Sequence, residues 1–483
     1  MSFLDSIGYL RASRRLTQHL AMLIATFGLL LVLSSRAKAD ATTQPSSPDQ
    51  ENAELRGEVN DLKAKVDRLE ATGLPATRPW IPDTKQSAFS SFHVTSGYDP
   101  AVGFVLRSDD GQFSLHPGFV VDFRNMTSYR EKLSPTSGSE ISTPRYSTEN
   151  GFDVSRFRMT FDGRATQNFT YFIQLQGDQG AAFGLLDAYG VYRFGLDSPV
   201  AVKGGQFKDP VWHERNLSEA NLLAVDRSLM EFLLEGGQTA RVQGIDLMYD
   251  RDRLRGQLGL HDGFNSGNTK FFDGGGIAAG IGGGAGVTPT DFGVSGRGEF
   301  MAIGNRTREF NPFTEYDGGF TALGDKQSIL VFGGGADYSE AGSNSVLFHT
   351  LDAQYDNPCG FSAYAAYSGT YRDLKHNQGV VPGFYYDPGF QLQFAYLITP
   401  KIEPFVRYDY TYLPPGSTTN LVTGEVQEIT LGANYYVYLQ HLKVTLDASY
   451  LPNGAPGDSD ALGMLKDSGH NEVVVRLQFQ LAI

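Results

Sequence analysis

Hydrophobic and polar residues alternate with a period of two over most of the chain after residue 111. In the segment VSRFRMTFDGRA, Phe157, Met159 and Phe161 share one face, and Arg156 and Arg158 lie on the other. This period is typical of β-strands, whose successive side chains point to opposite faces. Similar segments recur to the end of the chain, most of them close to the roughly ten residues that cross a bilayer as a tilted strand. The pattern predicts an all-β protein.

The chain finishes on such a segment, NEVVVRLQFQLAI. Val473, Val475, Leu477 and Phe479 fall on one face, and Arg476 falls on the other. In a closed barrel the last strand pairs with the first, so that no sheet edge is left open in lipid. We therefore expect the apolar face of this strand to contact lipid and Arg476 to face water.

Two architectures share this alternation. A soluble β-sandwich buries its apolar face, whereas a transmembrane barrel turns that face toward lipid. The barrel is favoured because aromatic residues mark many segment ends and because short connections alternate with long polar ones. We predict an antiparallel transmembrane barrel of about 16 strands, an even number. One connection, 304–326, departs from the alternation because it is long where a short turn is expected.

The first 39 residues have the pattern of an export signal. Basic residues precede the apolar run from Leu20 to Leu33, and Ala37-Lys38-Ala39 gives a small-residue cleavage site. The alternative is an uncleaved membrane anchor, but the run is shorter than the roughly 20 residues of a comfortable span. We predict a cleaved signal peptide over 1–39.

A short helical repeat follows the signal. Its apolar residues step by four and three positions, which is the heptad spacing of a coiled coil; they are Leu55, Val59, Leu62, Val66 and Leu69. A solitary solvated helix is the alternative, but it would leave this stripe bare. The predicted organisation is a periplasmic coiled-coil segment over 40–72, a linker with a small hairpin over 73–110, and the barrel over 111–483.

Composition narrows the classes of function. The formal net charge of −14 argues against a nucleic-acid partner, and the single cysteine, Cys359, excludes an internal disulfide. Nine histidines show no metal-binding spacing, and GGGIAAGIGGGAG lacks the Lys-Ser/Thr of a phosphate-binding loop. No nucleophile motif is present. We therefore expect no catalytic residue, no cofactor and no metal site, and we predict that the chain is not an enzyme.

Three sequence elements resemble the phosphate-selective porin O and P family: an arginine-bearing strand with Arg156 and Arg158, the run Asp187-Ala188-Tyr189, and the strand end Gly205-Gln206-Phe207-Lys208-Asp209-Pro210. The resemblance covers most of 103–483. It implies a homotrimeric, 16-stranded pore in the outer membrane, with an N-terminal periplasmic coil. The chain differs from the family's best-studied members in ending on Leu-Ala-Ile rather than on an aromatic residue.

The 209–239 segment is apolar enough to fold back into the barrel, and the resemblance implies that such a loop narrows the lumen. Rings of Arg and Lys favour anions in a pore. The candidate anion-binding residues are Arg156, Arg158, Lys203, Lys208, Arg215 and Arg227. The expected function is passive diffusion of small solutes, chiefly anions such as phosphate, across an outer membrane.

Several alternatives stay open from the sequence. The six cations could pair with neighbouring carboxylates and only hold the loop in place. The acid excess would also suit a general or cation-leaning pore. A third possibility is a structural barrel that anchors the outer membrane to the cell wall through its coiled coil.

Overall fold

The computed structural model of the chain describes residues 94–99, 103–130, 148–177, 183–235, 241–269, 276–277, 288–304, 328–375, 381–415, 424–438, 440–455, 462, 464 and 470–483. The predicted signal peptide and coiled coil lie outside these residues. No helix in the described part is long and apolar enough to cross a membrane.

Twenty strands occur in the described residues. A hairpin comes first, with β1 at Val94–Asp99 and β2 at Gly103–Ser108. Two further strands, β10 at Gly276–Ile277 and β11 at Thr288–Pro289, form a separate two-residue ladder. The other sixteen strands form the barrel.

The first seven barrel strands are β3 Ser114–Arg130, β4 Thr148–Thr166, β5 Phe169–Gln176, β6 Gly184–Arg193, β7 Val200–Phe207, β8 Val242–Arg251 and β9 Leu254–His261. The remaining nine are β12 Phe292–Ile303, β13 Ile329–Ala341, β14 Asn344–Asp356, β15 Phe361–Leu374, β16 Gly383–Tyr396, β17 Ile402–Leu413, β18 Gly424–Tyr438, β19 Leu442–Leu451 and β20 Glu472–Ala482. Each pairs antiparallel with the next along the chain, and β9 pairs with β12.

The barrel closes between its last and first strands. Strand β20 pairs antiparallel with β3 from Glu472 opposite Arg130 to Ala482 opposite Val120. Two backbone hydrogen bonds between Phe119 and Ile483, of 2.7 and 2.9 Å, extend this seam. The predicted barrel of about 16 antiparallel strands is therefore confirmed. Strand β2 pairs with the start of β3 over two residues, which attaches the hairpin at this end.

The two faces of β20 have the environments expected from the sequence pattern. Val475, Leu477 and Phe479 are 41 to 49% exposed on the outer surface, as lipid-facing residues of an isolated chain should be. Arg476 faces the lumen but is only 1% exposed. The prediction that Arg476 contacts open water is wrong, because carboxylates of the barrel and of an inward-folded loop surround its side chain.

Connections differ between the two ends of the barrel. The end that holds residue 483 has short connections at 167–168, 252–253 and 439–441, but the connection at 304–328 is long, as expected from the sequence. The opposite end has the long connections, except for a two-residue turn at 342–343 between β13 and β14. Gly342 has a φ of +59° there, a conformation that suits glycine in a tight hairpin.

Candidate functional site

The connection between β7 and β8 folds into the barrel. It contains helix α1 at His213–Asn216, a 3₁₀ turn at Glu219–Asn221 and helix α2 at Leu229–Glu235. We call the described residues of this connection, 208–235 and 241, the lumen loop. Its apolar side chains explain the inward path, because Trp212 is 1% exposed and stacks on Phe348 of β14 with ring centroids 5.1 Å apart.

Helix α2 packs against the barrel wall with two faces. Met230 and Leu234, one helical turn apart, join a buried cluster with side chains of β13, β14 and β15. Leu229 and Leu233, also one turn apart, join a second cluster with side chains of β17 to β20. Before the helix, Leu223 and Ala224 join a third cluster with Ala395 of β16 and Phe405 of β17. The lumen loop therefore lies against the interior of strands β13–β20.

Backbone N–H groups at the start of helix α2 also donate hydrogen bonds to carboxylates of that wall. The backbone N–H of Leu229 donates to Glu428 Oε2 at 3.0 Å, and that of Met230 donates to Asp409 Oδ1 at 3.1 Å. First-turn N–H groups have no partner within their own helix and favour negative charge. Arg407 lies between these acids, donating to Glu428 at 3.2 Å and to the Asp226 carbonyl at 2.8 Å. The loop backbone thus neutralises part of an acidic wall.

One carboxylate of the loop connects the two strands of the barrel seam. Both oxygens of Asp226 accept from Arg124 Nη1 of β3, at 3.0 and 3.1 Å. Arg476 of β20 reaches the same carboxylate at 3.3 Å and also pairs with Asp447 at 2.7 Å. Val225 N–H donates to Asp447 at 2.9 Å. The lumen loop therefore cross-links the strands that close the barrel.

Four of the six predicted anion-binding residues surround one acid of the loop. Glu219 forms ion pairs with Arg158 of β4 and with Arg227 at 2.8 Å. Lys208 and Arg156 act on it electrostatically. Burial raises the pKa of Glu219, but these cations outweigh burial and hold it well below its usual value. We call Arg156, Arg158, Lys208, Arg227 and Glu219 the basic cluster.

Each cation of the basic cluster also has other partners. Arg156 pairs with Asp122, and Arg158 donates to Gln176 at 2.6 Å. Lys208 and Arg227 both donate to the carbonyl of Leu217, at 3.0 and 2.9 Å. Burial lowers the pKa of Lys208 well below its usual value, against the pull of Glu219. The arginines are therefore the residues of this cluster that stay positively charged at neutral pH.

The other two candidates lie apart from the basic cluster. Lys203 pairs with Asp246 of β8 at 2.8 Å and lies 3.7 Å from the centre of the Phe207 ring. Arg215 pairs with Glu231 at 3.2 Å within the loop. The arrangement accommodates both readings of the sequence, anion attraction and loop support, so the assignment of all six residues to anion binding stays a prediction.

Sequence reasoning missed several residues that organise this site. Asp226 and Arg124 were not singled out, although both are nearly buried and bind each other. Arg241, at the far end of the loop, pairs with Asp187 of β6 at 3.0 Å. The only sequence signal for Arg124 is its place on the polar face of β3. Nothing in the sequence predicts which carboxylate it meets.

Comparisons with known proteins find the fold but no close relative. No family model matches the chain, and no curated protein matches it significantly. A solved anion-selective porin from Comamonas acidovorans is 11% identical, with a TM-score of 0.51; the match covers 77% of this chain and 100% of the porin. The outer membrane channel DcaP of Acinetobacter baumannii is 9% identical with a TM-score of 0.47, covering 76% of this chain and 97% of that one.

The chain thus has the fold of bacterial outer-membrane porins. The closed sheet, with its apolar outer surface and polar interior, is that of an outer-membrane barrel. The narrower resemblance to phosphate-selective porins stays a prediction.

Proposed function

We propose that the chain is a diffusion pore of the outer membrane that passes small solutes and prefers anions. The observation that carries this proposal is the placement of the lumen loop against strands β13–β20. A loop on that side leaves the solute path toward the other wall, which supplies Arg156 and Arg158 of the basic cluster. Lys208 and Arg227 of the cluster belong to the loop itself. Low-dielectric walls around a narrow aqueous path strengthen the effect of the charges that line it.

The two walls differ in charge. Strands β3–β7 contain seven Arg or Lys residues and five Asp or Glu residues. Strands β13–β18 contain two Arg or Lys residues and ten Asp or Glu residues. Most acids of the second wall are withdrawn from solvent, since six of the ten are at most 2% exposed: Asp337, Asp356, Asp387, Glu403, Asp409 and Glu428.

Side chains of the first wall keep more contact with solvent. The side chains of Arg156 on β4 and Lys203 on β7 are 13 and 10% exposed, compared with 2% for Arg407 and Arg372. A permeating anion would thus meet guanidinium and ammonium groups, while most facing acids are covered. This favours anions over the acid excess of the whole sequence.

Phosphate as the permeant and a homotrimeric assembly belong to the proposal on the strength of the sequence resemblance. The matched porin from Comamonas acidovorans is named as anion-selective, which is consistent with the proposed preference. Contact with the cell wall would require the N-terminal segment, which lies outside the described residues.

A cation-leaning pore is the second candidate. The specific observation in its favour is the acid content of strands β13–β18, which would face the path if the lumen loop moved away. Single-channel recording in a KCl gradient separates the two candidates. The sign of the reversal potential gives the preferred ion, and block by added phosphate tests whether phosphate occupies the path.

A further inference from the structure

Three buried side chains meet where the lumen loop leaves the barrel wall. Asp209 follows the end of β7 by two residues, His261 is the last residue of β9, and Asp337 lies on β13. One ligand atom from each lies within 4.8 Å of the others. The three residues are 1, 3 and 0% exposed. Residues distant in sequence thus converge at one point.

Four polar atoms of this group have no hydrogen-bond partner outside it among the residues that the structure describes: both carboxylate oxygens of Asp209, Oδ2 of Asp337 and Nε2 of His261. His261 Nε2 is 3.0 Å from Asp337 Oδ2. Ser339 Oγ donates to the other oxygen of Asp337 at 3.0 Å, which orients that carboxylate. Buried polar atoms normally have partners, so four that face one another require an explanation.

No arginine or lysine in the described part of the chain compensates the charges in this group. Among the described residues, neither Asp209 nor Asp337 forms an ion pair with an arginine or a lysine. Their neighbour Asp246, in contrast, pairs with Lys203. Burying ionised carboxylates without a counter-charge is costly. Either a proton shared between the two acids or a bound cation would relieve that cost.

Glycine makes room for the imidazole. A Cβ atom at Gly293 would lie only 2.2 Å from His261 Cε1 and 2.6 Å from Ser339 Oγ. A side chain at position 293 would therefore displace either the ring or the hydroxyl that holds Asp337. The backbone of β12 thus lets the ring lie across it.

We propose that Asp209, His261 and Asp337 bind a first-row divalent metal ion such as Zn²⁺ or Mn²⁺. Two carboxylates and one imidazole suit these metals, whereas Ca²⁺ and Mg²⁺ prefer oxygen ligands alone. The ion would supply the missing positive charge and tie the start of the lumen loop to strands β9 and β13. The spacing of the ligands along the chain follows no motif, which is why the sequence predicted no metal site.

One contact must change when the ion binds. The N–H of Gly263 donates to His261 Nδ1 at 3.1 Å, so a neutral ring has its proton on Nε2. That proton must leave before Nε2 can bind a metal, and the Gly263 contact must loosen if the proton moves to Nδ1. Gly263 has a φ of +84°, a conformation in which glycine is readily accommodated. Without a metal, the competing arrangement is the shared proton.

The experiment uses tag-free, full-length mature protein folded in detergent, stripped with EDTA and dialysed against Zn²⁺ or Mn²⁺. We expect one tightly bound ion per chain by elemental analysis, and a rise in unfolding temperature with the metal in excess. His261→Gln and Asp337→Asn should each weaken binding by about 10- to 100-fold or more. His349→Gln and Asp356→Asn, at a histidine and an acid outside the group, should bind like the wild type.

X-ray absorption of the Zn²⁺-loaded wild type gives a result that does not depend on the variants folding. We expect oxygen and nitrogen ligands with one imidazole. No stoichiometric metal in folded wild-type protein, unchanged binding by His261→Gln, or a shell without imidazole or with sulfur would each overturn the proposal. None of these results bears on whether the barrel conducts, so the two proposals fail separately.

Discussion

Strands β3–β7 and strands β13–β18 face the same lumen, but the loop inside it contacts them in different ways. Against β13–β18 the contact is largely apolar, through Trp212 and helix α2, and acids are covered or bound by backbone N–H groups. Toward the first wall the contacts are ionic, between Arg124 and Asp226 and between Arg158 and Glu219.

The difference shows why net charge is a poor guide to a pore. The chain has a net charge of −14, yet most acids of one wall are buried, and the loop binds two of them, Asp409 and Glu428. The field in the solute path depends on the charges that remain next to water. On our account a small arginine-containing region outweighs a larger but covered set of acids.

The largest effect is expected from Asp226→Ala, which breaks the ionic contact between the loop and the seam. Arg124 and Arg476 would lose a shared carboxylate while nearly buried, and removing one partner of a buried pair costs about 3–5 kcal/mol. We expect a lower unfolding temperature and a larger, noisier conductance. Asp373→Asn, at a partly exposed acid paired with Lys375, is the control and should be nearly silent. An Asp226→Ala variant with the unfolding temperature of the wild type would contradict the claim that Asp226 cross-links the loop to the seam.

Trp212→Ala tests the apolar contact. Removing a buried aromatic side chain costs about 3–5 kcal/mol where the site cannot collapse, and here the Phe348 stack is lost. If the loop then leaves β13–β15, uncovered acids should shift the reversal potential toward cations. Leu196→Ala, at a side chain 61% exposed in a short turn, controls for the loss of apolar volume. A shift toward anions would show that the loop does not mask the acidic wall.

Replacing Arg156 and Arg158 together by Gln tests the first wall directly. We expect the anion-to-cation permeability ratio to fall by about twofold or more, because two lumen charges are removed. Arg372→Gln is the comparison on the other wall, where the arginine side chain is 2% exposed, against 13 and 9% for Arg156 and Arg158. Equal shifts from both changes would remove the distinction between the walls.

Glu219→Gln should give the smallest effect, with the opposite sign. Removing this negative charge from the basic cluster should raise anion preference modestly at pH 7. The same residue sets a pH limit, since its pKa lies well below the usual value of about 4.3. Because the pKa of Glu219 is lower in the folded than in the unfolded chain, its ionised form stabilises the fold at pH values above the unfolded-state pKa. This stabilisation is lost as the pH falls through the folded-state pKa. Conductance should thus be unchanged between pH 7 and about 5; a change in that range that Glu219→Gln abolishes would contradict this.

Much of the fold could be predicted from the sequence. The alternation of apolar and polar residues predicted the strands, the outer face of β20 and the long connection at 304–328. The inward path of the loop, described here over 208–235, also followed from its apolar content. These features depend on local periodicity or on composition, both of which can be read along the chain.

The site could be predicted less well, because its interactions join distant segments. Asp226 meets Arg124 and Arg476, which are 102 and 250 positions away. A strand pattern gives the face of a side chain but not its neighbour across the lumen. For the same reason, the sequence did not predict that Lys203 and Arg215 lie apart from the basic cluster.

The most direct test of the central claim is the reversal potential of single channels of the purified protein in a planar bilayer under a KCl gradient, with phosphate titrated in. We predict discrete current steps, an anion-selective reversal potential and block by phosphate. Cation-selective steps would contradict the proposed path along the basic wall, and a folded barrel without steps would contradict the assignment as a pore.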